Sequence, residues 1–324
     1  MRFARLLAPA FAALVGLATS FAFAEDAPKK LFWKVTADNG SEVWLFGSIH
    51  VGTEDMYPLS KEIEDAFSKA DSLVVEADIE GGDPAALQGL VMSKGMYEQG
   101  DSLKKHVSKE NWAKLKAYCD KEGVPLDQLK PMKPWLVAVQ LQGLMMQKLG
   151  VEATYGIDRH FIIKAKKKAK KPVLELESAE LQINVISGFS DELQQEFLMG
   201  MVNEGEKGKE SLDKMMDAWK KGDEAKMYEI STASVKENPK YKPVMEKLND
   251  ERNVGMLKKI EGWLGEEKKN SKFVVVGSLH LCGDKGLVKL LEATKKYKVE
   301  RPALTAPVKE EKTEKSEEKP AEKK

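Results

Sequence analysis

The chain is poor in the residues that usually announce a function. It has two cysteines, Cys119 and Cys282, and four histidines in 324 residues. Two thiols exclude a disulfide-built scaffold and a four-cysteine zinc site; either one bridge closing a long loop or two free thiols remain open. No apolar run beyond residue 24 approaches the ~20 residues a membrane-spanning helix needs. There is no GxxxxGK[ST] loop, no GxGxxG after a strand, no HExxH and no GxSxG, so the common nucleotide, zincin and serine-hydrolase chemistries fall away. Neither charge is in excess: 52 Lys and Arg face 52 Asp and Glu, which argues against nucleic acid as a partner.

The two ends are simple. Arg2 and Arg5 precede an apolar stretch from Leu6 to Phe23, and Ala22-Phe23-Ala24 is an A-x-A cleavage site. Residues 1–24 therefore read as a secretory signal peptide, with an uncleaved anchor as the alternative. Cleavage would leave 50 basic against 52 acidic residues, no stable membrane span and a periplasmic or secreted protein. Residues 306–324 are mostly Lys and Glu, cannot offset ordering entropy by burial, and are expected to be disordered.

What is present is a repeat. Val43 to Gly52 reads VWLFGSIHVG and Phe273 to Gly283 reads FVVVGSLHLCG. Each is an apolar strand, then Gly-Ser-aliphatic-His, then a loop. The first unit opens with a hairpin, Leu31–Thr36 and Val43–Phe46, turning at Asn39-Gly40. It continues through a helix capped by Ser60 to a strand ending near Glu76. The second continues through a helix, GLVKLLEATKK, to a strand ending near Glu300. A third strand, KKPVLELES, carries Glu177. The expected fold is α/β (α+β): a mixed β-sheet built from two β-α repeat units at the two ends of the chain, in a domain spanning 25–305, with a large helical insertion at about 84–270. The insertion's many methionines, including Met145, Met146, Met215 and Met216, suit core packing or a groove for apolar ligands.

Strand-tip histidines project from the carboxyl edge of a sheet, where α/β folds place their sites. If the two repeated strands are neighbours, His50 and His280 face one cleft as metal ligands or as an acid/base pair. Glu76, Glu177 and Glu300 are the strand-end carboxylates that could join them, Glu76 first. Cys282 is a structural thiol or disulfide partner, or else a ligand or nucleophile. Arg252 lies in a helix, either in a surface ion pair or, facing the cleft, as an anchor for a carboxylate or oxyanion. His160 reads as part of an amphipathic helix that Asp158 caps, and His106 as an exposed residue.

Six blocks occur in order: GSIHVGTEDMYPL, ADSLVVEAD, YGIDRHF, KPVLELES, NDERNVGM and VVVGSLHLCGDKGL. With their paired GxxH signature the chain resembles the TraB/GumN family, which includes the Tiki ectodomains and the pheromone-shutdown proteins of bacterial conjugation. The resemblance implies an erythromycin-esterase/ChaN-like fold and a divalent-metal-dependent, peptidase-like hydrolase. Carried over, His50, His280 and Glu76 fall on the metal site, with Mn, Co, Fe or Zn as the ion. Glu76, Glu177, Arg252 and Asp158 fall on the catalytic blocks. The expected partner is a peptide or protein substrate. The alternative is a non-catalytic protein that sequesters a peptide or other ligand in the same cleft.

Overall fold

A computed structural model describes residues 30–305. The signal peptide and the charged tail expected from the sequence lie outside the described residues. Six strands form one mixed sheet: β1 (Phe32–Thr36), β2 (Glu42–Ser48), β3 (Ser72–Val75), β4 (Val173–Glu175), β5 (Ser271–Gly277) and β6 (Lys298–Glu300). Their order is β4-β3-β5-β2-β1-β6. β4, β3, β5 and β2 run parallel to one another; β1 is antiparallel to both β2 and β6.

The repeat takes this form because each unit is a crossover to a parallel strand. The chain leaving β2 passes through the helix Lys61–Lys69 and reaches β3 on the far side of β5. The chain leaving β5 passes through the helix Leu287–Thr294 and reaches β6 beyond β2 and β1. The adjacent strands β2 and β5 thus send their chains in opposite directions, which opens a crevice at their carboxyl ends.

Local chemistry explains the strands. Phe273–Val276 form an unbroken buried run, as expected for a central parallel strand covered on both faces. β1 is less uniformly buried, near the sheet's edge. The hairpin turns over residues 37–41, with Gly40 at φ 83° and the Asn39 side chain bonded to Leu264 and Glu266 carbonyls. Beneath the crevice Phe46, Phe67, Phe161 and Phe273 pack ring on ring at 4.9–6.3 Å. This cluster ties β2 and β5 to the helices 61–69 and 157–163.

Several expectations change. The repeated strand does not run on to His280: β5 stops at Gly277 and Ser278–Leu281 form a helical turn. Ser60 occupies the cap position, yet its hydroxyl has no partner; its carbonyl starts the helix instead. Glu300 stands two strands beyond β2, exposed and paired with Lys298 at 2.8 Å. Both cysteines are free and buried, Cys119 in a helical cluster around Leu115 and Leu198, Cys282 in the main core. His106 is not simply exposed: it stacks on Tyr97 and lies 2.7 Å from Asp101. The methionines divide. Met216 is core, while Met145, Met146 and Met215 line a cavity of about 210 Å³ between the helices Pro134–Lys148 and Asp191–Lys221. None of the strand-end polar groups lines it.

Candidate active site

The four parallel strands end side by side, and each delivers a polar group. β4 runs into Glu177, β3 into Glu76, β5 into the turn carrying His280, and β2 into the bend carrying His50. The two Gly-Ser-x-His motifs are staggered by one residue, Ser48 facing Gly277. The Ser278 hydroxyl donates to the Ser48 carbonyl at 2.9 Å and locks that stagger.

Glu76 is the centre. Its Oε1 accepts the Gly277 N–H at 2.6 Å and lies 3.7 Å from His280 Nε2. Its Oε2 accepts from Arg252 Nη2 at 2.8 Å and from Gln182 Nε2 at 3.2 Å. A Cβ added at Gly277 would stand 3.1 Å from Glu76 Oε1, 3.4 Å from His50 Nε2 and 3.6 Å from His280 Cδ2. The three groups therefore surround one small volume, and the glycine keeps it clear.

The two histidines are held differently. Asn253 is buried and donates its amide to the Lys285 carbonyl at 2.8 Å, which turns its oxygen toward His280 Nδ1 at 2.6 Å. Nδ1 must then carry the proton, and Nε2 offers its lone pair to Glu76's side of the cleft. Burial keeps His280 below the ordinary histidine range, against the pull of Glu76. His50 is open to solvent on one side, with 61% of its side chain exposed, and its Nδ1 lies 3.3 Å from Asp158 Oδ1. Its local desolvation opposes the charge, but Asp158 and then Glu76 outweigh it and push His50 up to about 9. Glu76 is also opposed by burial, yet His280, His50, Arg252 and the Gly277 N–H bring it down to about 2. With His280 neutral, the lasting contributions come from His50, Arg252 and the N–H.

The YGID block explains how Asp158 arrives. A side chain at Gly156 would overlap the His50 carbonyl, so the two segments can approach only through glycine. Ile157 N–H then bonds the Ile49 carbonyl at 3.1 Å, and Asp158 accepts from the Ser48 hydroxyl at 2.9 Å. Asp158 is thus an orienting group for His50 rather than a helix cap. His160 stacks on Tyr57, away from the three central groups. Arg252 faces the crevice. Its Nε and Nη2 donate to Glu177 at 2.6–3.1 Å, and Nη1 donates to Leu248 at 2.8 Å.

Of the residues that sequence reading named, His50, His280, Glu76, Glu177, Asp158 and Arg252 meet here, while Glu300 does not. The same reading missed Asn253, although that residue follows Arg252 in the NDERNVGM block, and Gln182, for which the sequence carries no signal. The donor chemistry suits a divalent ion: two imidazoles oriented by acceptors on their Nδ1 atoms, and an ionised carboxylate. The spacing is looser than coordination. Among the described residues no three His, Cys, Asp or Glu already stand close enough to hold an ion.

Comparison with known proteins places the chain in a family. The uncharacterized protein YbaP of Escherichia coli (strain K12) is 32% identical over 157 residues, 48% of this chain and 56% of YbaP. An uncharacterized protein of Treponema pallidum (strain Nichols) is 24% identical over 162 residues, 49% of this chain and 47% of that protein. The chain thus spans about half the length of the curated relatives it matches. No solved structure matches it. Residues 31–301 match the TraB/PrgY/gumN family, and the chain belongs to that family.

Proposed function

We propose that the chain is a divalent-metal-dependent hydrolase of peptide bonds, working in an exported compartment, periplasmic or secreted. One observation carries the reading: His50 Nε2, the Glu76 carboxylate and the edge of the His280 ring converge on the volume that Gly277 leaves free, with His280 Nε2 3.7 Å from Glu76 Oε1. His50, His280 and Glu76 would hold the ion, which would supply Lewis acidity toward a carbonyl and lower the pKa of water. The chain's own residues do the rest. Asn253 keeps the His280 lone pair facing the cleft, and Asp158 fixes the His50 ring. Arg252 pairs with Glu76 and Glu177 side by side, at 2.8 and 2.6 Å. Its three nitrogens are committed to protein acceptors, so we assign it to positioning these carboxylates rather than to a substrate oxyanion. Glu76, as ligand or as the base that takes a proton from water, is the residue the reaction cannot lose.

The wide spacing favours a second reading, a cleft that grips a peptide without cutting it. Incubating the protein with peptide mixtures in the presence of Mn, Co, Fe or Zn, with mass spectrometry of the products, separates the two. The hydrolase reading expects new fragments that disappear with Glu76→Gln while the fold persists. Intact peptides under every metal overturn it.

A further inference from the structure

Beside the site lies a groove of about 920 Å³ that no step above uses. Glu177 and Arg252 close its inner end. Its floor is β4, an edge strand of the sheet. Its walls are the helix Ala179–Ser187, through Leu181 and Val185, and the helix Glu251–Leu264, through Gly255 and Lys259.

Two features single out what fits it. β4 bonds β3 through alternate residues: Pro172 carbonyl accepts from Leu73, and Leu176 N–H donates to Val75. In a parallel ladder that pattern turns the backbone groups of Val173 and Glu175 outward, toward the groove. The Glu175 carbonyl is taken by Lys259 Nζ at 3.1 Å. The Val173 N–H and carbonyl and the Glu175 N–H face the opening. An exposed strand edge is normally covered, because it invites another strand. The second feature is Gly255, one helical turn from Arg252 on the wall. A Cβ there would meet nothing within 4 Å. Glycine inside a helix costs stability, and here no packing inside the chain requires it.

Resting on the hydrolase reading, we propose that the substrate is an extended peptide segment that adds to the free edge of β4, its backbone pairing with Val173 and Glu175 and passing Gly255. A strand added at a sheet edge takes its affinity from main-chain bonds and its selectivity from alternate side-chain pockets. Leu181 and Val185 make the nearest pocket apolar. The carboxyl ends of β4, β3 and β5 lie about 4.8 Å apart, so the scissile bond over Glu76 falls roughly two or three residues beyond the paired stretch at ~3.3 Å per residue. The segment must therefore be unfolded where it binds.

The test uses the full chain carrying Glu76→Gln, immobilised, with a library of random decapeptides as probe and mass spectrometry of what is retained. Two further substitutions are compared in that background. Gly255→Leu fills the groove wall and should leave Tm unchanged or raised. Val173→Pro removes an outward N–H that β3 does not use. We expect each to lower peptide retention by about tenfold or more, the scale of one to two kcal/mol in lost pairing, with metal content unchanged. The proposal is overturned if both retain the same peptides as the parent, or if the parent retains none. The hydrolase reading fails separately, if retained peptides survive incubation with the Glu76-containing protein and metal.

Discussion

At the scale of single residues, two histidines with the same sequence neighbours have been given opposite electrostatic fates. His280 is in a buried turn with only a neutral amide on Nδ1, and stays uncharged. His50 is on an open bend with a carboxylate on Nδ1, and holds its proton up to about pH 9. The sign of the linkage follows. A raised histidine contributes stability that is fully present below pH 6.5 and is lost as pH climbs toward 9. Glu76, held down to about 2, contributes above pH 4.5 and loses its share as pH falls toward 2. Asp158→Asn should return the His50 titration, followed by NMR of the ring protons, toward 6.5. The stability gap between wild type and variant should be widest below pH 6.5 and narrow toward pH 9. A His50 midpoint unmoved by the substitution would show that Asp158 does not hold the ring.

At the scale of elements, the helix that carries Arg252 acts as a clamp across two strand ends. Glu76 follows β3, Glu177 follows β4, and both are buried against the Arg252 guanidinium. Arg252→Met should leave two adjacent carboxylates uncompensated and cost about 3–5 kcal/mol in urea unfolding. Adding Glu177→Gln should recover part of that loss. If the single substitution is neutral, the Arg252 contacts do not hold the two strand ends together. This clamp also marks where sequence reading runs out. Strand positions were legible because Phe273–Val276 and Val43–Phe46 show the apolar density of a sheet centre, and the matched histidines named the site's two ends. That Arg252 spends itself on the two glutamates was not legible, since ion-pair partners 75 and 176 residues apart leave no local pattern. The helical turn at His280 was hidden for a similar reason: Ser-Leu-His-Leu after a valine run reads as more strand until Gly277 ends it. Asn253 lay in a recognised block but drew no attention, because its role exists only once the helix docks on His280.

At the scale of the molecule, two hydrophobic clusters share the load. One surrounds the sheet and the other lies among helices of the insertion around Leu115, Val137 and Leu198. The 31-residue helix Asp191–Lys221 contributes to both, and its Trp219 donates to the Gly47 carbonyl at 2.8 Å, pinning the end of β2 beneath the site. Cys119 belongs to one cluster and Cys282 to the other, so no covalent tie joins them. Millimolar dithiothreitol should leave Tm where it is; a clear drop would mean that a disulfide forms after all. Among the described residues no helix is long and apolar enough to cross a membrane. The family's paired motif brings the two ends of the domain to adjacent parallel strands, β2 and β5, with Glu76 from β3 beside them.

That convergence is tested most directly by metal content. Wild type, His50→Ala and His280→Ala would each be loaded with Mn, Co or Zn, desalted and measured by elemental analysis. The account predicts one ion per chain in wild type with at least one of these metals, and its loss in both variants. Retention of the ion by either variant, or none bound by wild type under any loading, would contradict a metal site shared by the two repeated histidines.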